Sequence, residues 1–166
     1  MSQTHVAVLK GGWSVEREVS LVSGAKCAEA LRGEGFAVTE IDADHNIGAE
    51  LAALKPDVVF NALHGRWGED VCVQGLLEVL QIPYTHSGVR ASALAMHKPS
   101  AIKLFRHAGL RCPDGLVLNR QALARTHPMP PPYVVKPLNE GSSVGVCIVQ
   151  PGDNFPPRQL AAAEWN

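Results

Sequence analysis

Apolar and polar positions alternate along the first half of the chain in a way that predicts strands and helices in turn. His5–Leu9 is a short, mostly apolar run that ends at Gly11-Gly12, which predicts a buried strand entering a turn. After Ser14 an amphipathic stretch runs to Leu31, with apolar or small residues at Val19, Val22, Ala28 and Leu31, and Gly33 and Gly35 close it. Phe36–Asp42 alternates and is rich in β-formers. Ile47–Leu54 predicts a short helix stopped by Lys55-Pro56. Asp57–Leu63 has the continuous apolar character of a strand covered on both faces, Val71–Leu80 predicts a third helix, and Ile82–Thr85 a short extended piece. The order β-α-β-α-β-α-β implies a doubly wound parallel sheet with right-handed crossovers and helices on both faces. Such a sheet gathers ligand-binding loops at the carboxyl ends of its strands. Here those loops are Gly11–Glu18, His64–Asp70 and His86–Val89.

The pattern changes near residue 90. Ala91–Leu110 reads as helical but crosses Lys98-Pro99, where the proline breaks or restarts the helix. Asp114–Leu118 predicts a strand. A proline-rich connector, Pro128–Pro132, precedes Tyr133–Pro137 and Val146–Gln150, two strands joined by a small polar loop into a hairpin. Two domains are expected, residues 1–91 and residues 92–166.

Composition narrows the functional classes. Of 166 residues, 46% are apolar and 19% charged, which is globular and not disordered. A net charge of −1 provides no global field for nucleic acid or an anionic membrane. The start lacks the basic region and apolar core of a signal peptide, and no run reaches the length of a membrane span. Cys27, Cys72, Cys112 and Cys147 are far apart with no C-x-x-C pair, so they are expected to be reduced, buried thiols.

The chemistry concentrates in three places. In Gly11-Gly12-Trp13-Ser14-Val15-Glu16-Arg17-Glu18, two glycines permit close backbone approach, and a helix N-terminus follows. Either glutamate could simply complement the helix dipole, or a carboxylate at a site mouth could receive a substrate ammonium. His64-Gly65-Arg66-Trp67-Gly68-Glu69-Asp70 sets an imidazole, a guanidinium and two carboxylates at a strand's carboxyl end. Lys136 lies in an apolar strand, where a charge needs a partner, beside the Gly/Ser-rich loop Asn139–Gly145, which can offer several donors to an anion. Lys98, at the helix break, is a second candidate phosphate contact.

Taken together, GGWSVEREVSLVSG, ALHGRWGEDVCVQGLLEVLQIPYTHSGVRASALAMHK and YVVKPLNEGSSVGV resemble the D-alanine–D-alanine ligases of the ATP-grasp superfamily, over about residues 5–150. The resemblance implies a pre-ATP-grasp domain followed by an incomplete ATP-grasp subdomain. It also implies a cytoplasmic, ATP- and magnesium-dependent enzyme that joins two D-alanines through an acyl phosphate for peptidoglycan, and a homodimer in the full-length protein. By the same resemblance Glu16 holds the ammonium of the first D-alanine, Ser142 bonds in that site and positions its flap, and His64 lies near the acyl phosphate. Lys98, Lys136, Glu140 and Ser143 serve ATP. The family's magnesium ligands and second D-alanine site fall outside these residues, so no metal ligand is expected in this chain, and the chain alone is expected to be an inactive N-terminal fragment. A stand-alone, non-catalytic ligand-binding domain is the alternative. Three positions depart from the family pattern: His97 stands where Asp is usual, His86 where Gly is usual, and Pro99 follows Lys98.

Overall fold

In the computed structural model, which describes residues 3–141 and 143–161, the first half is a three-stranded parallel sheet in the order β2-β1-β3. The strands are β1 (His5–Lys10), β2 (Ala37–Asp42) and β3 (Val58–Asn61). β1 pairs with β2 from His5↔Ala37 to Lys10↔Asp42, and with β3 from Val6↔Val58 to Leu9↔Asn61. The predicted fourth strand is reduced to one parallel bridge, Val59↔Tyr84, because its backbone–backbone hydrogen bonds to β3 run through Val59, to Pro83 O at 2.8 Å and from Thr85 N at 3.0 Å.

Alternation along β1 explains why both faces need covering. Val6 and Val8 point to one face, where α1 (Arg17–Gly33) brings Ala28 and Leu31. Ala7 and Leu9 point to the other, where α2 (Ile47–Leu54) and α3 (Cys72–Leu80) bring Ile47, Leu51, Val73 and Leu77. Every residue of β1 from Val6 to Leu9 is buried, as a central strand between two helical layers requires.

The apolar stripe read on α1 is corrected in part. Its sheet-facing residues are Ser20, Gly24 and Ala28, whereas Val19 and Val22 are exposed. A Cβ on Gly24 would overlap the Cβ of Lys10. Small residues here let the helix lie close on β1, so backbone proximity and not side-chain bulk sets the buried face.

α4 (Val89–Met96) belongs with this first unit, which spans Met1–Met96; the second unit spans His97–Asn166. The expected domain limit at 91/92 lies inside α4. The second unit begins with α5 (Lys98–His107), and Pro99 sits in its first turn, where a missing N–H costs nothing. The proline therefore starts a new helix. α6 (Arg120–Leu123) is capped by Asn119, whose side-chain oxygen accepts from the Gln121 N–H at 2.8 Å. The hairpin is antiparallel, β4 (Tyr133–Val135) against β5 (Cys147–Val149), and packs Val135 near Leu123 and Leu160.

Two expectations fail. Asp114–Leu118 is not a strand: Leu116, Val117 and Leu118 are exposed, and no described segment pairs with them. The cysteines are free but not buried; Cys72 is exposed and the other three are half-buried. Among the described residues no helix is long and apolar enough to cross a membrane.

Candidate substrate site at the sheet switch point

The chain leaves β1 through α1 to one neighbour and crosses through α2 to the other, so the connections diverge at the carboxyl ends of β1 and β3. That switch point is where a doubly wound sheet opens a crevice. Two loops meet there, residues 11–16 and residues 62–71. Gly11 has φ +73°, and a Cβ on it would overlap the Asp42 carboxylate. The absence of a side chain lets Asp42 take a two-pronged grip on Arg17, at 2.7 and 2.6 Å, while Arg17 also donates to Gly12 O at 2.9 Å. This grip holds the Asp42 carboxyl below its ordinary range, mainly through the hydrogen bonds from Arg17.

Glu16 stands at the N-cap position of α1 but makes no side-chain cap bond. It turns inward instead, is only 6% exposed, and its Oε2 is buried without a hydrogen-bond partner. Glu18 occupies the exposed first turn of the helix, so the dipole-complementing role falls to it. A buried carboxylate oxygen with no donor is costly in a folded protein.

The second loop is built around this carboxylate. Gly65 has φ +68°, and any Cβ on it would overlap Glu16 Oε2. Ser14 joins the loops: its hydroxyl donates to His64 O at 2.9 Å and accepts from the Glu16 N–H at 3.1 Å. Buried Asn61 and Gln74 both donate to Gly68 O, at 2.8 and 2.6 Å, and Gly65 N–H donates to Glu69 Oε2 at 2.7 Å. Trp67 and Val71 adopt φ of +80° and +107°. For a β-branched residue that is strain of about 1–3 kcal/mol, tolerated where surrounding bonds over-determine a loop. Arg66 stacks over Trp67 at 4.6 Å.

His64 is half-buried, with Nε2 3.0 Å from Ser23 Oγ. Beside it opens a cavity of about 470 Å³ bordered by Ser23, Cys27, Phe60, Glu69 and His86. That size suits a small organic ligand. His86 has φ +78°, the conformation a glycine takes freely, and its ring reaches Asn61 O at 2.8 Å. Histidine here keeps the turn and adds a tie to the end of β3.

The second unit collects the other candidates. Lys98, at the start of α5, donates from Nζ to Glu140 O and from its backbone N to Leu138 O at 3.4 Å, which stitches the helix to the hairpin loop. Its ammonium is pushed below the ordinary lysine range, chiefly by burial and next by the nearby Lys136 charge, with Glu140 acting the other way. Lys136 is not in the strand as expected. It follows Val135, the last residue of β4, and is exposed, so no buried partner is required of it. Ser143 is exposed at φ +62°. Ser142 lies outside the described residues. Among the described residues no three His, Cys, Asp or Glu side chains lie together so as to hold a metal ion.

Glu16 and His64 are thus brought together within the first unit, and Lys98, Lys136 and Glu140 within the second. Sequence reading overlooked Ser23, Asn61 and Gln74, which lie on strand and helix positions that look ordinary by pattern. The bridging role of Ser14 had one signal, a capping-type residue two before Glu16.

A doubly wound unit with a buried, unpartnered carboxylate at its switch point, followed in the chain by a lysine-bearing Gly/Ser hairpin, is an α/β arrangement of the class that the sequence resemblance implies. A family model described as the D-Ala-D-Ala ligase N-terminus matches residues 45–87. The D-alanine–D-alanine ligase of Parvibaculum lavamentivorans is 65% identical over 167 residues, covering 100% of this chain and 54% of that protein. The crystal structure of D-alanine–D-alanine ligase from Bacillus anthracis superposes with a TM-score of 0.74 at 35% identity, over 90% of this chain and 50% of that one. The same enzyme complexed with ATP matches with a TM-score of 0.74 at 33% identity, over 92% of this chain and 50% of that one. The chain is similar over its whole length to D-alanine–D-alanine ligases, and it spans about half the length of the curated relatives it matches.

Proposed function

We propose that this chain carries the first-substrate side, and part of the phosphate-binding side, of an ATP-dependent D-alanine–D-alanine ligase serving peptidoglycan synthesis. The observation that carries this reading is Glu16, buried at the switch point with Oε2 unpartnered. An amino-acid ammonium there supplies the missing donor and compensates the buried charge. His64, tied to the same loop pair through Ser14, contributes a second polar contact. Ser142 keeps the flap-positioning role that the family resemblance implies.

ATP supplies the phosphoryl group that activates the first carboxylate as an acyl phosphate, which the second amine then attacks. Negative charge develops on phosphate oxygens, so what this chain contributes is cationic and hydrogen-bonding surface. Lys98 and Lys136 suit that role, because the Lys136 charge disfavours the Lys98 ammonium and an anion between them relieves the repulsion. Glu140 offers its carbonyl to Lys98, and Ser143, in the same loop, adds a hydroxyl. The magnesium that the family resemblance implies has no candidate cluster of His, Cys, Asp or Glu among the described residues. A cytoplasmic location and a homodimer accompany the family resemblance. No observation favours the stand-alone, non-catalytic alternative.

Because the chain spans about half of its relatives, the purified chain should show no turnover. Phosphate release from ATP with D-alanine, run beside the full-length Parvibaculum lavamentivorans enzyme, checks this, and dipeptide formed by the chain alone would overturn it. The chain joined to the C-terminal half of that enzyme then permits kinetic tests of Glu16.

A further inference from the structure

α1 carries Ser23 beneath the His64 ring. Ser23 Oγ lies 3.0 Å from His64 Nε2, 2.9 Å from Val19 O and 3.3 Å from Ser20 O. A hydroxyl has one proton and two lone pairs, whereas a carbonyl oxygen only accepts. If the proton pointed to the ring, the hydroxyl would face two carbonyl oxygens at these distances with no hydrogen between them. The proton therefore lies on the helix side, as is common for serine in a helix. A lone pair of Oγ then faces the ring, and only a protonated Nε2 satisfies it. The main chain of His64 is held separately, by Ser14 Oγ–H on its carbonyl at 2.9 Å. The other ring at the cavity, His86, is engaged with Asn61 O at 2.8 Å and does not compete for Ser23.

We propose that Ser23 is a positioning residue that holds neutral His64 as the Nε2–H tautomer, so that Nδ1 presents the ring's lone pair to the ligand. The hydrogen bond on one imidazole nitrogen decides what the other can do. A bare Nδ1 accepts an N–H and disfavours a phosphate oxygen, so this assignment sets Nδ1 against the substrate amine and not against the acyl phosphate that the family resemblance implies for His64. The assignment deepens the substrate reading of His64, on which it rests: the group met by Nδ1 is the amine of an amino acid, the same group that suits Glu16. In this assignment Ser23 acts through His64.

Nitrogen-15 NMR of the His64 ring in this chain, at about pH 9 where imidazole is ordinarily neutral, reads the tautomer directly. Wild type should show Nε2 protonated and Nδ1 bare. Ser23→Ala removes the acceptor at little cost to the helix and should lower the ratio of Nε2–H to Nδ1–H forms about 2–10-fold, the worth of one net hydrogen bond. Ser23→Thr keeps the hydroxyl and should restore the wild-type ratio. Added D-alanine should shift Nδ1 together with the Glu16 carboxyl carbon. An Nδ1–H ring in wild type, an unchanged ratio in Ser23→Ala, or a D-alanine response at Glu16 with none at Nδ1 would overturn the proposal while leaving the ligase reading intact. Silence at both groups would overturn the ligase reading along with it.

Discussion

Replacing Glu16 by Gln should move stability and substrate affinity in opposite directions. The side chain is 94% out of solvent (6% exposed), and Oε2 has no donor. Leaving a buried polar group unsatisfied costs about 1–3 kcal/mol, and more when it is charged. Gln keeps the shape and removes the charge, but its amide also lacks partners, so only part of that cost is recovered. The net expectation is a gain of about 1 kcal/mol in the substrate-free chain, read as a rise of about 4–8 °C in the melting of a unit of roughly this size. The ammonium of D-alanine loses a charge-assisted bond of about 1.5–3 kcal/mol, which corresponds to a rise of about 10–150-fold in KM at the first site. Thermal and urea unfolding of the 166-residue chain measure the first quantity. Initial rates of the chain joined to the C-terminal half of the Parvibaculum lavamentivorans ligase, with D-alanine varied, measure the second. A variant that loses about 1 kcal/mol or more and leaves the KM for D-alanine unchanged refutes the reasoning, because Glu16 would then be a structural carboxylate. A trade of stability for binding is what a site kept ready for a ligand predicts.

Gly65→Ala should destabilise the first unit by at least about 1–2 kcal/mol, since alanine resists a left-handed backbone and its Cβ overlaps Glu16 Oε2; urea unfolding at wild-type stability would show the loop to be free to rearrange. Glu40 accepts from Lys10 and Arg32, in that order of influence, and its carboxyl is held below the ordinary value of 4.5. Its contribution is therefore complete above that value and lost as pH falls through the lower folded value. After discounting for partial exposure it is worth about 0.2–1 kcal/mol, so Glu40→Gln should flatten the acid limb of stability below pH 4.5, and an unchanged limb counts against the pairing. Lys98 should react with acylating reagents with an inflection below the ordinary lysine value of 10.5, and ATP should protect it; mass spectrometry showing no protection would remove Lys98 from the phosphate site.

Much of the fold is written in local pattern. α2 begins at Ile47 and ends at Leu54 as its periodicity and the Lys55-Pro56 stop predict, and the three strands fall on the three β-rich runs to within a few residues. Pattern failed where a partner elsewhere decides. Asp114–Leu118 has strand composition but nothing to pair with among the described residues. The Val19/Val22 stripe of α1 has helical spacing, yet Gly24 allows the helix so close to Lys10 that the small face is buried instead. Lys136 looked embedded in a strand, but the ladder closes at Val135 and leaves it in solvent.

The candidate site divides along the same line. The residue types at Gly11–Glu18, His64–Asp70 and Asn139–Gly145, with the order of strands and helices, were sufficient to indicate loops at a sheet edge and a resemblance to one ligase family. Spacing and composition are local properties, and motifs preserve them. Residue type and spacing alone did not separate Glu16 from Glu18, because both lie in one turn and both suit a helix dipole; the family resemblance pointed to Glu16. Tertiary structure gives the two carboxylates different surroundings. Packing the loop of Gly65 against the end of β1 buried Glu16 and left its Oε2 without a donor, while Glu18 remained in water. Burial and hydrogen-bond completeness are properties of the surroundings of an atom, and those surroundings are supplied by residues about fifty positions away in the chain, at His64 and Gly65.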